Sequence, residues 1–147
     1  GSGGGGGGGI PLGSSPGKRR TGIQVAVAGG RRRLDVYELE SQIINTNSWQ
    51  TPFLPTDFET SWRWTDASGN RHPQIRKDLT KEQVVKMKEP PCELDMFKPI
   101  TQWTIMKNDQ TDKDGWRYAV RWNASTWSTK PGWLDAVRKR HWVRDFA

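Results

Sequence analysis

The chain has 147 residues, 33% of them hydrophobic, and a formal net charge of +7 at pH 7. This length suits one ordinary domain, and nine tryptophans supply enough apolar surface to predict a core that is aromatic rather than aliphatic. The single cysteine, Cys92, excludes an internal disulfide framework and is typical of a reducing compartment. No stretch approaches the roughly 18 apolar residues of a transmembrane helix and no signal peptide begins the chain, so we expect a soluble, cytoplasmic protein.

The net positive charge lies almost entirely before residue 34. Six of the 23 basic residues occur there and every acidic residue follows, which leaves 17 basic and 16 acidic residues in the remainder. A nucleic-acid-binding domain concentrates basic residues on the surface that meets the phosphates. The near neutrality of residues 34–147 therefore disfavours nucleic acid as a partner.

The first 33 residues combine glycine, proline, serine and arginine with little periodicity. This composition predicts a disordered, Gly-rich and basic leader over residues 1–33, followed by one folded domain over residues 34–147. Residues 23–27 alternate as a strand does, but glycines bracket them closely, so we do not expect them to join the domain.

The first half of the domain predicts short extended segments. Residues 34–39 have the period of a strand, and residues 49–55 are extended and bent by prolines. Trp62 and Trp64 share one face of a strand that ends in a turn at residues 67–70.

One helix and one further strand follow. Thr80 and Gln83 have the spacing of a capping box, which predicts a short helix over residues 80–88 before two prolines. Residues 100–106 alternate and predict a strand with one buried face, and a polar loop over residues 109–114 comes next.

Two segments near the C-terminus interleave aromatic residues with arginine. In a strand, alternate side chains lie on the same face, so the aromatic residues of segment 116–122 share one face. In segment 137–144, three arginines and Trp142 share one face. A guanidinium that lies flat on an indole ring gains about 0.5–2 kcal/mol. We therefore predict that the two strands pair and stack. The predicted structural stack comprises Trp116, Arg117, Tyr118, Arg121, Trp122, Arg138, Arg140, Trp142 and Arg144, with His141 as a further member.

Several motifs occur in the order that a known family has them. They are Val36-Tyr37-Glu38, Trp49, Leu54-Pro55-Thr56-Asp57, residues 64–69, Gly115-Trp116-Arg117-Tyr118-Ala119, Trp133 and residues 137–144. On these motifs, residues 34–147 resemble the dysferlin domain family, which occurs in ferlins, peroxisomal membrane peroxins and tectonin-repeat autophagy proteins. The chain departs from the pattern at Phe58, where an arginine often stands, and at Lys139 and His141, which interrupt a run of arginines.

The resemblance implies a mostly all-β fold of long antiparallel strands held by Arg/Trp stacking, with long loops and at most one short helix, arranged as a β-sandwich. It also implies a noncatalytic module that acts at the surface of intracellular membranes and needs no cofactor. The implied partner is a membrane lipid head group or a membrane-associated protein. We expect a monomeric module from a larger protein.

The loop that joins the two arginine-containing strands is the candidate binding surface. Residues 123–136 are mostly polar and turn-forming, yet they contain two tryptophans and a leucine. Tryptophan favours the membrane interface, and a lysine adds about 1 kcal/mol of attraction to an anionic leaflet. The candidate lipid or partner contacts are therefore Trp127, Lys130 and Trp133, and we expect Trp127 to be the more exposed tryptophan because Trp133 matches a recurrent family position.

Other chemistries find little support. Asp112 and Asp114 imitate part of a calcium loop, but Arg121 stands where the bidentate glutamate is required. The two histidines lack ligands at zinc spacing, so no metal is predicted, and Cys92 has no evident activating base. Besides the lipid-binding interpretation, a protein-docking domain without lipid binding remains open, and a nucleic-acid-binding or carbohydrate-binding domain is less favoured.

Overall fold

The structure is a computed structural model, and it describes residues 23–25, 30–43, 46, 48–51 and 62–147. The elements are β1 (Ile23–Val25), β2 (Arg32–Ser41), β3 (Trp64–Thr65), α1 (Lys81–Lys86), β4 (Thr104–Ile105), β5 (Arg117–Ala119) and β6 (Val137–Phe146). The strand pairs are antiparallel, and one short helix accompanies them, which confirms the mostly β fold class.

The sheet is built on the pairing of β2 with β6. These ten-residue strands pair along their whole length, from Arg32 opposite Phe146 to Ser41 opposite Val137. The order is β1-β2-β6-β4, with β3 on β2 and β5 on β6. All described strands therefore belong to one sheet, and the expected two-layered sandwich is not what these residues form.

The N-terminal edge of the sheet includes residues that the sequence analysis assigned to the leader. β1 pairs with β2, with Ile23 opposite Leu34, against our expectation that these residues would stay apart. The flanking glycines do not prevent this pairing, and Gly30, with a φ of +73°, is in the left-handed region that glycine adopts freely just before β2. The predicted boundary at residue 34 lies inside β2, while residues 1–22 are outside the described part.

The hydrophobic core lies on one face of β2 and β6. Its buried members are Leu34, Val36, Trp64, Ile75, Val84, Cys92, Leu94, Trp103, Trp142 and Phe146. Four of these are aromatic, so the core is mixed, whereas the sequence predicted a mainly aromatic core. The edge of Trp64 meets Trp142 with a ring-centroid distance of 6.1 Å, which is a favourable geometry for two aromatic rings.

The helix begins where its capping box predicts. The Thr80 hydroxyl accepts from the Gln83 backbone N–H at 3.2 Å, and the Gln83 side chain accepts from the Thr80 N–H at 2.8 Å. Val84 buries its side chain in the core, and its carbonyl accepts a 2.9 Å hydrogen bond from Trp64 Nε1. The capping prediction is confirmed, although the helix ends at Lys86 rather than Lys88.

The strand predicted over residues 100–106 is much shorter in the structure. Only Thr104–Ile105 pair as β4 with β6, whereas Ile100 makes a separate backbone hydrogen bond to Asp145 at 2.9 Å. Between these points the chain leaves the sheet edge and buries Trp103 in the core. Of the segment predicted as extended over residues 49–55, Gln50 bridges to Ser41 and residues 52–55 lie outside the described part.

Candidate functional site

Arginine and tryptophan side chains form a continuous stack across β5 and β6. The Arg138 guanidinium lies 3.9 Å from the Trp116 ring centroid and 4.7 Å from that of Trp49. Arg140 lies 4.3 Å from the same Trp116 ring and 5.2 Å from Trp142. The order is therefore Trp49, Arg138, Trp116, Arg140, Trp142, which we call the Arg/Trp stack. The pairing of β5 with β6 that the sequence predicted brings its central members together.

Two glutamates on β2 neutralise this stack. Glu38 is fully buried opposite Arg140 and accepts from Arg140 Nε at 2.7 Å, Arg63 Nη2 at 2.6 Å and Trp142 Nε1 at 2.9 Å. Burial alone would raise the pKa of Glu38, but the charges and hydrogen bonds of Arg63 and Arg140 outweigh it and lower that pKa. Glu40, opposite Arg138, accepts two hydrogen bonds from its guanidinium.

The sequence analysis did not identify Glu38, Glu40 or Arg63 as members of this arrangement. The sequence signal for the two glutamates is their alternation on β2, which matches the alternation of Arg138 and Arg140 on β6. That match becomes visible only when the register between the two strands is known, because cross-strand pairing decides which side chains meet.

Other predicted stack members take different positions. Arg144 lies at the far end of β6, 5.8 Å from the Trp103 ring, and donates to the Thr101 carbonyl at 2.7 Å. Tyr118 is buried, and its hydroxyl donates to Asp112 at 2.7 Å. Trp122 is half-buried just beyond β5.

Arg117, Arg121 and His141 do not join the stack within the described residues. β5 ends at Ala119, so Arg121 is exposed beyond it. Arg117 and His141 lie on the opposite face of the sheet, because alternate residues of a strand point to opposite faces. There the His141 ring stacks on Tyr37, with centroids 4.4 Å apart, and its Nε2 lies 2.7 Å from Asp35 Oδ1.

The loop over residues 123–136 is fixed to the sheet at several points. The backbones of Ser128 and Tyr118 exchange two hydrogen bonds of 2.9 Å. Near the other end, buried Asp135 accepts from the Gly132 N–H at 2.7 Å, and its carbonyl accepts from the Gln42 side chain at 3.1 Å. The loop is therefore held in place by the strands on both sides.

The two loop tryptophans have the opposite exposure to the one expected. Trp127 is half-buried, donates its Nε1–H to the Ala124 carbonyl at 3.1 Å and lies beneath the Lys139 ammonium at 4.2 Å. Trp133 is 71% exposed, its neighbour Leu134 is 46% exposed, and Lys130 is exposed as well. The expectation was wrong because the loop folds back at Trp127, which composition alone does not reveal.

The thiol of Cys92, metal ligands and membrane-spanning helices are the remaining features that bear on function. Cys92 is buried, and burial raises the pKa of its thiol far above the usual value, so the thiol stays protonated. In the described part of the chain, no three His, Cys, Asp or Glu side chains are grouped as metal ligands would be. The same residues contain no helix that is long and apolar enough to cross a bilayer.

Comparison with known proteins gives a partial relationship. No family model matches the chain. The chain is similar to a segment of tectonin-repeat proteins. It is 30% identical over 94 residues to tectonin beta-propeller repeat-containing protein 1 of Xenopus tropicalis, and this match covers 62% of the chain and 7% of the relative. The proteins of that name from Gallus gallus and Homo sapiens are both 29% identical, over 94 and 86 residues, which is 62% and 56% of the chain.

The chain spans only 6–7% of the length of these curated relatives. The link to tectonin-repeat proteins, one of the groups named by the sequence resemblance, is thus supported. The resemblance to the dysferlin domain family is not supported by these comparisons and stays a prediction from the sequence motifs.

Proposed function

We propose that this chain is a noncatalytic, dysferlin-type module that binds a membrane lipid head group, or a membrane-associated partner, at the surface of intracellular membranes. The loop over residues 123–136 makes the contact. Its exposed residues Trp133 and Leu134 enter the membrane interface, and Lys130 faces the head groups.

The observation that carries this proposal is the exposure of Trp133 beside Leu134 on a loop that is otherwise well anchored. Two large apolar side chains in succession at the surface are costly in water and useful at an interface. An indole is suited to the bilayer interface because its ring is apolar while its N–H stays hydrated.

The Arg/Trp stack serves as the support for this loop. Its guanidiniums are enclosed by tryptophan rings and neutralised by Glu38 and Glu40, so they have little capacity left for an external ligand. A binding loop works best on a rigid scaffold, because less conformational freedom is lost on binding. The stack is therefore structural in this proposal, and the lipid or partner meets the loop.

A protein-docking role without lipid binding would use the same exposed pair, because aromatic side chains also anchor protein interfaces. The similarity to tectonin-repeat proteins is compatible with both roles. What separates them is whether the isolated protein binds a bilayer that contains no other protein.

Vesicle flotation tests this directly. The full chain is used, because a fragment starting at residue 34 would delete β1 and the first two residues of β2. We expect the protein to float with neutral, anionic or sphingomyelin-containing vesicles in at least one composition at physiological salt. Absence of flotation with all three would contradict lipid binding and favour the docking role.

A further inference from the structure

A basic cleft lies beside the pairing of β5 with β6, where Arg117 is opposite Lys139. It has a volume of about 110 Å³, and its lining includes Tyr37, Arg117, Lys139 and His141 together with Arg140 of the Arg/Trp stack. No aspartate or glutamate is among the residues that line it. His141 has Asp35 as its partner at 2.7 Å and Arg140 has Glu38 at 2.7 Å, so the excess charge of the cleft comes from Arg117 and Lys139.

These two cations lie side by side. Arg117 on β5 is directly opposite Lys139 on β6 in the antiparallel register. Like charges in such a pair repel each other, and the arrangement is destabilising for the folded sheet. Burial is the larger cause that lowers the pKa of Lys139, and the charge of Arg117 lowers this pKa further. Both effects disfavour the charged form of the lysine.

Neither cation has a carboxylate partner among the described residues, in contrast to the neighbouring arginines of β6. Arg138 is paired with Glu40 and Arg140 with Glu38, while the Nε–H of Arg117 is buried without a hydrogen-bond acceptor. A buried donor attached to a charged group costs free energy when it has no acceptor. Where a structure retains such a cost, a ligand that supplies the missing acceptor is a physical explanation.

We infer that the cleft formed by Arg117, Lys139, Tyr37 and His141 is a binding site for a single phosphate group. Two unpaired cations match the double negative charge of a phosphomonoester, and a guanidinium donates two parallel hydrogen bonds to phosphate oxygens. The volume of about 110 Å³ is well above the ~10–15 Å³ that one water molecule requires, so the cleft has room for one compact anion. Burial raises the pKa of Tyr37, so its hydroxyl keeps the proton that it would donate.

The phosphate can come from a lipid head group or from a soluble phosphate compound. The cleft adjoins the candidate membrane loop, because Lys139 also covers Trp127. Phosphate binding by the cleft can nevertheless be tested with free phosphate and no membrane. A failure of the cleft to bind phosphate would therefore be distinct from a failure of the loop to bind lipid.

The primary test is a calorimetric titration of the full chain with inorganic phosphate at constant ionic strength, with chloride as the reference anion. We expect saturable binding that weakens about tenfold or more in Arg117→Gln, since a charge-assisted hydrogen bond is lost. Arg121→Gln is the matched control, because it removes the same charge from an exposed position just beyond β5 and should leave the affinity unchanged. Lys139→Gln removes the second cation and should weaken phosphate binding to a similar extent.

Thermal unfolding without phosphate adds a readout that a structural role would not produce. Arg117→Gln relieves the repulsion with Lys139, so its melting temperature should equal or exceed that of the parent. Absence of phosphate binding by the parent, or equal loss in Arg117→Gln and Arg121→Gln, would overturn the site. A marked fall in the melting temperature of Arg117→Gln would also overturn it, since Arg117 would then stabilise the fold.

Vesicles identify the source of the phosphate. Phosphatidylcholine vesicles that contain a lipid with a phosphomonoester head group are compared with phosphatidylserine vesicles of the same surface charge. A preference for the phosphomonoester that Arg117→Gln abolishes supports the site and assigns it to a lipid. Binding of free phosphate without this preference supports the site and assigns it to a soluble phosphate compound.

Discussion

Glu38→Gln tests whether one buried carboxylate holds the Arg/Trp stack together. The Glu38 side chain is 1% exposed and accepts hydrogen bonds from Arg63, Arg140 and Trp142. Glutamine has nearly the same shape but no charge, so the substitution leaves two guanidiniums without their anion while changing the packing little.

The magnitude follows from the burial of the partners. Breaking a buried ion pair by removing one partner costs about 3–5 kcal/mol. The Arg63 and Arg140 side chains keep 16% and 18% of their exposure, so water relieves part of the cost. We therefore expect a loss near the lower end, about 3 kcal/mol, which corresponds to a melting temperature lower by about 6–12 °C.

Urea unfolding followed by tryptophan fluorescence measures this loss, because Trp64 and Trp142 lie beside Glu38 or its partners. Glu89→Gln is the control, since it removes the same charge from an exposed position and should change stability by less than about 0.5 kcal/mol. A loss below about 1 kcal/mol in Glu38→Gln would refute the role of Glu38 as the anion of the stack.

Three further predictions concern the stack, the loop and pH. Arg140→Ala should lower the melting temperature markedly because it removes stacking on Trp116 and leaves Glu38 short of a partner; a variant as stable as the parent would remove Arg140 from the stack. Trp127→Ala should destabilise the protein by about 1–3 kcal/mol in urea unfolding, because its half-buried ring packs under Lys139; unchanged stability would show that the ring is free. Burial lowers the pKa of His72 in the folded state, so the unfolded chain takes up the proton first, and stability should be full above about pH 6.5 and decline as the pH falls. An unfolding midpoint in urea that stays constant from pH 7 to about pH 5 would contradict the His72 contribution. The lowered pKa of Glu38 should extend the decline in stability below about pH 4.3.

Local signals in the sequence predicted local structure well. The Thr80–Gln83 capping box gave the helix, and the turn after Trp64 forms where predicted, with Gly69 at a φ of +88°. The period of two correctly grouped Arg138 and Arg140, because strand geometry fixes which side chains share a face.

Features that depend on distant residues were not predictable in the same way. The role of Glu38 depends on its register with Arg140, 102 positions later in the chain. The exposures of Trp127 and Trp133 depend on how a loop folds back on Lys139, and loop residues have no periodicity that reports it. The pairing of β1 likewise depends on the edge of β2 that β6 leaves free, and the sequence of residues 23–25 does not report that edge.

The most direct test of the central claim compares vesicle flotation of the parent, Trp133→Ala and Ile100→Ala. Ile100 is 48% exposed and bonds to Asp145 near the end of β6 that lies away from the loop, so it controls for the general loss of an exposed apolar side chain. We predict that Trp133→Ala keeps the melting temperature of the parent and loses most of its vesicle binding, while Ile100→Ala floats as the parent does. Equal flotation of Trp133→Ala and the parent would contradict the claim that this loop binds the membrane.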